Sequence, residues 1–202
     1  NTVAGVTSGE VIATVTSAAA SVLNALTTTS TDAITMTVNA EASSAATQAA
    51  DLVSLNGKTN QVITMTAVTK VSGSYADLLN VYVTNAGQYN GEGDEAVTIT
   101  GTVTATQADA IADVTSGVVT ATINADTAAA LNSALSDAQV NAYTLTISAG
   151  SVAATDLTSL DSKTSVAVNA ANVTTVTGSA TEVSVAYAAN TAGTITGLGN
   201  EN

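Results

Sequence analysis

The sequence predicts an α/β repeat solenoid, with parallel strands on one face and short helices on the other. Three observations predict it. Short runs alternate apolar residues with Thr, the period-2 sign of a strand with one buried face. Ala-rich segments with helical spacing lie between those runs. A longer repeat of about 105 residues is superimposed on both, and such internal repetition is the signature of stacked architectures.

The strand-like runs come in order as Val11–Thr16, Ile34–Val38, Val62–Thr66, Val97–Thr100, Val118–Ile123, Tyr143–Ile147, Val166–Val168 and Thr194–Thr196. Thr and Val are β-branched and suit strands. Helical spacing appears in Ala19/Leu23/Leu26, Leu52/Leu55, Ala108/Ile111/Val114, Ala128/Leu131/Leu135 and Leu157/Leu160. Ser74, Thr106 and Asp126-Thr127 stand where helices would start, since short polar side chains satisfy free N–H groups there. Helices of two to three turns do not persist alone, so each needs its neighbours. The unit reads as strand, turn, helix, turn. Its irregular length brackets the period of leucine-rich-type repeats, hence a leucine-rich-repeat-like solenoid. Strand–helix–strand crossovers then take the right-handed sense. Ile34, Met36, Ile99, Val119, Leu145 and Ile147 are the expected inward strand residues, packed on Leu23, Leu52, Leu55, Ile111, Leu131, Leu157 and Leu160. The alternative is an all-β solenoid in which the Ala-rich segments are not helical.

The longer repeat is explicit. Leu52-Val53-Ser54-Leu55-Asn56-Gly57-Lys58-Thr59 matches Leu157-Thr158-Ser159-Leu160-Asp161-Ser162-Lys163-Thr164. Gly73-Ser74 matches Gly178-Ser179, and Tyr82 matches Tyr187. Gly91-Glu92-Gly93-Asp94-Glu95 matches Gly197-Leu198-Gly199-Asn200-Glu201, and Val6-Thr7-Ser8-Gly9 matches Val114-Thr115-Ser116-Gly117. Two modules follow, residues 1–95 and 96–202, in one continuous solenoid with no linker. The pattern is already running at the first residue and still running at the last, so further repeats are expected beyond it.

Composition narrows the function. The chain has 202 residues with no Cys, Trp, Phe, Pro or His. Hydrophobic residues at 46% against 9% charged rule out a disordered polyelectrolyte. The core must be built from Ala, Val, Leu and Ile, each burying little area, so stability comes from many similar contacts. Three lysines against 16 acids, a net charge of -13, exclude a basic groove for nucleic acid and disfavour a negatively charged membrane surface. No apolar stretch is long enough to span a bilayer, and none follows a charged segment as in a signal peptide. Without His or Cys the usual general base and thiol nucleophile are missing, and no motif pairs the remaining Asp, Glu, Tyr and Lys, so the chain reads as a non-enzyme.

The residues also carry a resemblance. Ala153–Thr164, Val173–Ala180, Ala186-Tyr187-Ala188 and Gly197–Glu201 are similar to the repeats of giant secreted surface proteins of marine cyanobacteria, a family that includes the very large cell-surface protein needed for non-flagellar swimming. The resemblance spans essentially the whole chain. It implies an extracellular structural or adhesive role, often beside calcium-binding repeats. The calcium nonapeptide itself is not in this sequence.

Candidate sites are few. Glu92, Asp94 and Glu95 place three carboxylates in a Gly-containing turn, oxygen ligands of the kind Ca²⁺ takes, although the spacing matches no known loop. The alternative is a solvated connection. No other cofactor is indicated. Lys58 with Asp51, and Lys163 with Asp156, read as surface ion pairs of about 0–1 kcal/mol. Stacked parallel strands would set Thr35, Thr37, Thr64, Thr66, Thr98, Thr100, Thr120, Thr122, Thr144 and Thr146 in ladders spaced by ~4.8 Å. Such arrays resemble ice-binding faces, or Thr is simply the best polar strand former. The expected function is an extracellular structural segment at the cell surface, a spacer, filament or coat built by stacking of repeats. Its expected partners are copies of itself, end to end, or further repeats. The competing reading is an adhesin whose Thr/Tyr face binds surface glycans; ice binding is a minor third.

Overall fold

Parallel pairing of segments 20 to 30 residues apart organises the chain. The computed structural model describes residues 5–136 and 139–199. Ile12 pairs with Ala33, Thr37 with Thr64, Ile63 with Tyr89, Val71 with Val97, Thr120 with Ala142, Val152 with Val176, and Val168 with Ile195. Two compact units result: Asn1–Thr100 with Val114–Gly117, and Gly101–Asp113 with Val118–Asn202.

The first unit runs β1 (Ile12–Thr14), α1 (Ala20–Leu23), β2 (Ala33–Thr35), β3 (Thr47–Gln48), α2 (Ala49–Asn56), β4 (Ile63–Thr64), β5 (Lys70–Gly73), α3 (Tyr75–Leu79), β6 (Tyr89–Asn90) and β7 (Ala96–Val103), whose last residues enter the second unit. A π-helical stretch, Asn80–Thr84, continues α3. The second unit continues with α4 (Ala105–Ala112), β8 (Val119–Ile123), α5 (Ala128–Ala134), β9 (Ala142–Thr144), β10 (Gly150–Ala153), α6 (Ala154–Asp161), β11 (Val168–Asn169), β12 (Val173–Thr177), α7 (Ala180–Ala192) and β13 (Ile195–Thr196). The strands form a five-stranded parallel sheet in the order β3-β5-β7-β8-β9, and two-stranded pairs β1-β2, β4-β6, β10-β12 and β11-β13. The protein is thus mixed α/β. The helical Ala-rich segments overturn the all-β alternative.

Local chemistry explains where helices begin. Ser74, Thr127 and Ser179 each accept a hydrogen bond from a backbone N–H three residues on. Thr106, expected to start a helix, lies inside α4. Thr104 is the true cap, because its hydroxyl accepts from Gln107 N while the Gln107 side chain accepts from Thr104 N, a reciprocal capping box. A second box joins Ser179 and Glu182, and α7 ends on left-handed Gly193.

All of the expected inward strand and helix residues are buried, with Leu52, Leu55, Leu157 and Leu160 fully so. Each contributes roughly 1.5–3 kcal/mol by leaving water. Ile12 differs: it stands at 79% exposure, because β1 turns Ala13 rather than Ile12 inward. The structure also contains strands where the sequence showed one per unit. β3 and β10 run directly into helices α2 and α6, β5 meets α3 after one residue, and β12 meets α7 after two. They are short and mostly lack apolar–Thr alternation, so only pairing with a neighbouring strand reveals them.

Candidate functional site

The recurring chemical feature of the molecule is a threonine pin at a corner between a helix and the next strand. Thr59, Thr115 and Thr164 are 2%, 7% and 7% exposed. Thr59 donates its hydroxyl proton to Ile34 O at 2.7 Å, Thr115 to Glu95 O at 2.7 Å, and Thr164 to Tyr143 O at 2.7 Å. The next residue completes the pin. Asn60 N donates to Asp32 O, Ser116 N to Gly93 O and Ser165 N to Asn141 O, each at 2.8 Å, and each to the carbonyl two residues before the first acceptor. The threonine oxygen then accepts from the N–H two residues on, from Gln61 at 3.0 Å, Gly117 at 3.0 Å and Val166 at 3.1 Å. A chain turn is thereby fixed to itself and to an earlier strand at once. Asp32 and Asn141 act at related corners, accepting from Val11 N and Val119 N at 2.9 and 2.8 Å. The backbone N–H groups of Thr29 and Val11 hold the Asp32 carboxyl below its ordinary range.

Lysines flank two of the pins. Lys58 Nζ donates to Leu26 O at 2.7 Å, just past α1, and Lys163 Nζ donates to Leu135 O at the end of α5. A cation on helix-end carbonyls satisfies orphan acceptors and opposes the helix dipole. The predicted pairing of these lysines with Asp51 and Asp156 is therefore replaced by a carbonyl contact. The two aspartates serve elsewhere in the same pattern: Asn24 Nδ2 donates to Asp51 O and Oδ1, and Asn132 Nδ2 donates to Asp156 O.

Among the predicted metal ligands, the three carboxylates of the Gly91–Glu95 turn part company. Asp94 is exposed and Glu92 half-buried, both lining an open hollow with Thr66, Gly91 and Gly93. Glu95 is completely buried, its Oε2 accepting from Tyr82 Oη at 3.2 Å and from Gly93 N at 2.8 Å. Among the described residues its Oε1 has no hydrogen-bond partner. Burial raises the Glu95 carboxyl above its ordinary value, against the lowering effect of the backbone N–H groups. Burial, with the nearby Glu95 charge, also raises the Tyr82 phenol far above its own. Tyr89, whose hydroxyl donates to Leu52 O, is pushed up to about 12 by burial. These groups form an interior polar contact holding the turn. Among the described residues no group of three His, Cys, Asp or Glu side chains could hold a metal ion.

Among the described pairings, parts of the predicted Thr ladder are brought together. Thr37 pairs with Thr64 and Thr122 with Thr144, while Thr35 pairs with Thr14. Thr64 next meets Asn90, Thr98 meets Ser72, Thr120 meets Ala142, and Thr146 meets Asn169. Thr35, Thr66, Thr98, Thr100, Thr120, Thr122 and Thr144 are exposed; Thr37, Thr64 and Thr146 are half-buried.

The pins were missed by sequence reasoning. Their signal was present, since Lys-Thr and Val-Thr-Ser-Gly each occur twice at matching repeat positions. What was lacking is the knowledge that Thr there faces inward. Compared with known proteins, the chain matches no family model, no curated protein and no solved structure.

Proposed function

We propose that this chain is a structural repeat segment, an α/β solenoid that serves outside the cell as a spacer, filament body or surface coat. The recurrence of one pin at Thr59, Thr115 and Thr164, with the same three bonds each time, carries the reading. Such a unit adds length without adding new chemistry, because each repeat contacts its neighbours through the same groups. The acidic, Thr-rich exterior supports solubility of a long array. The resemblance to secreted cyanobacterial surface repeats supports the extracellular placement and the two tandem modules, residues 1–95 and 96–202. No catalytic step and no cofactor enter this function; its partners are other repeats.

A chain carrying the 202-residue sequence twice in tandem tests it. Small-angle scattering should give a maximum dimension close to twice that of the single chain, with a cross-section unchanged. A scattering curve of two bodies flexing about a joint, or of one thicker particle, would refute the solenoid.

A further inference from the structure

The two units differ at one corner, and the difference encloses a cavity. Val38 and Ile147 hold matching places, bridging to Ala18 and Asp126. Thr47 and Val152 match as well, Thr47 pairing with Val71 and Val152 with Val176. Eight residues separate Val38 from Thr47, but only four separate Ile147 from Val152. The first unit therefore carries four extra residues between these landmarks. The longer segment contains a 3₁₀ turn, Ala42–Ser44, in which Ser43 has φ 58° and ψ 30°. Among the described residues Ser43 is the one non-glycine in the left-handed region. Such a conformation is strained and persists where the surrounding structure imposes it.

This segment walls a cavity of about 110 Å³ lined by Ala40, Glu41, Ala45, Thr47, Thr69 and Lys70. Two of the lining residues outside the insertion also depart from the repeat. Thr47 stands where the second unit has Val152, and Lys70 where it has Thr175. Thr47 is 1% exposed, and among the described residues its hydroxyl has no hydrogen-bond partner. Val fills the same shape with no polar group to desolvate, and the second unit uses it. The strand pairing alone does not call for a hydroxyl at this place.

The chemistry of the lining narrows what fits. One carboxylate and one ammonium oppose a ligand with net charge of either sign. No aromatic side chain lines the cavity, so recognition rests on hydrogen bonds rather than ring stacking. The volume is below the roughly 150 Å³ that admits benzene, which limits the enclosed part of a ligand to about six non-hydrogen atoms. Hydroxyls on neighbouring carbons meet all three conditions. Each both donates and accepts, so a pair serves the carboxylate, the ammonium and the two threonine hydroxyls together.

We propose that this cavity binds the vicinal diol of a small polyol or of a sugar residue. Glu41 accepts from one ligand hydroxyl, Lys70 donates to its neighbour, and the buried Thr47 hydroxyl gains the partner it lacks. The assignment goes beyond the structural role above and does not depend on repeat stacking, so its failure would leave the tandem-chain elongation untouched.

Titration of the 202-residue chain with glycerol and, separately, with methyl α-mannopyranoside tests it, read through backbone amide shifts in NMR. Amides of residues 40–47 and 69–71 should shift and saturate with at least one probe, at a Kd on the order of 1–10 mM for so few contacting atoms. Saturation by glycerol alone identifies a free polyol, and saturation by the mannoside identifies the edge of a sugar. Thr47→Val should weaken binding by at least about tenfold, with a melting temperature equal to or above that of wild type, because no unpartnered hydroxyl remains to be desolvated. A hydroxyl kept for folding would lower that temperature instead. Glu41→Gln, at a half-buried position on the inserted segment, should weaken binding by about tenfold with the fold unchanged. No saturable shift with either probe, saturation by glycine in their place, or a Thr47→Val chain that binds as wild type does overturns the proposal.

Discussion

Replacing Thr164 by Val removes one hydroxyl and leaves shape and volume almost untouched. That hydroxyl donates to Tyr143 O at 2.7 Å and accepts from Tyr143 N at 3.0 Å and Val166 N at 3.1 Å. Thr164 is 7% exposed and Tyr143 1% exposed, so water does not readily replace what is lost. A buried donor or acceptor left without a partner costs about 1–3 kcal/mol, more than the net ~1 kcal/mol of an average hydrogen bond. With groups on Tyr143 and Val166 orphaned together, Thr164→Val should destabilise by about 3 kcal/mol. For a chain of this size that is a fall of roughly 6–12 °C in melting temperature. Urea unfolding followed by circular dichroism measures it. Thr164→Ser separates causes, because it keeps the hydroxyl and loses only a methyl, so it should cost about 1 kcal/mol. Thr59→Val should behave like Thr164→Val, since Thr59 makes the matching bonds to Ile34 and Gln61. If Thr164→Val lies within about 0.5 kcal/mol of wild type, or if the Ser variant is as unstable as the Val variant, the pin is not what fixes this corner.

Two further perturbations probe the same framework. Glu95 has its folded-state carboxyl raised above the ordinary 4.5, so its stabilising contribution is fully present below that pH and is lost as pH rises through the raised value. Glu95→Gln cannot ionise; its melting temperature relative to wild type should therefore climb between pH 4 and pH 8, whatever its offset, and a flat difference would show that Glu95 is not buried as a carboxylic acid. Lys58→Met and Lys163→Met keep the aliphatic stem and drop the cation from the Leu26 and Leu135 carbonyls. Each should lower stability by about 1 kcal/mol in thermal melts, and equal loss at low and high salt would argue against the charge–dipole part of that contact.

Much of the fold was legible because it rests on periodicity. Leu52/Leu55 and Leu157/Leu160 are apolar at helical spacing and lie on the buried face of α2 and α6. Ile34, Met36, Leu145 and Ile147 alternate with Thr and turn inward. What failed was local information without a period. Gln48, Ser72 and Ser151 carry no strand preference, and their strands exist because a parallel neighbour offers its backbone. The residues of the acidic turn part from one another for a related reason. Glu92, Asp94 and Glu95 look equivalent in sequence, but adjacent side chains point to different sides of an extended segment. Glu95 goes inward to Tyr82 and Gly93 while Asp94 stays in solvent.

That inward turn bears on why the pins exist at all. A core of Ala, Val, Leu and Ile is nearly interchangeable from one repeat to the next, so apolar packing alone distinguishes poorly between neighbouring registers of the parallel strands. A slip by two residues would keep every inward side chain inward. It would not keep the corners whose acceptor is a side chain: Val119 N donates to Asn141 Oδ1 and Val11 N to Asp32 Oδ1, and a slip by two would present a different side chain to each. The threonine pins, whose acceptors are backbone carbonyls two residues apart, fix each corner to its strand but do not choose between registers two residues apart. In a chain with no disulfide and few charges, side-chain acceptors at the corners then select the register that apolar packing alone leaves open.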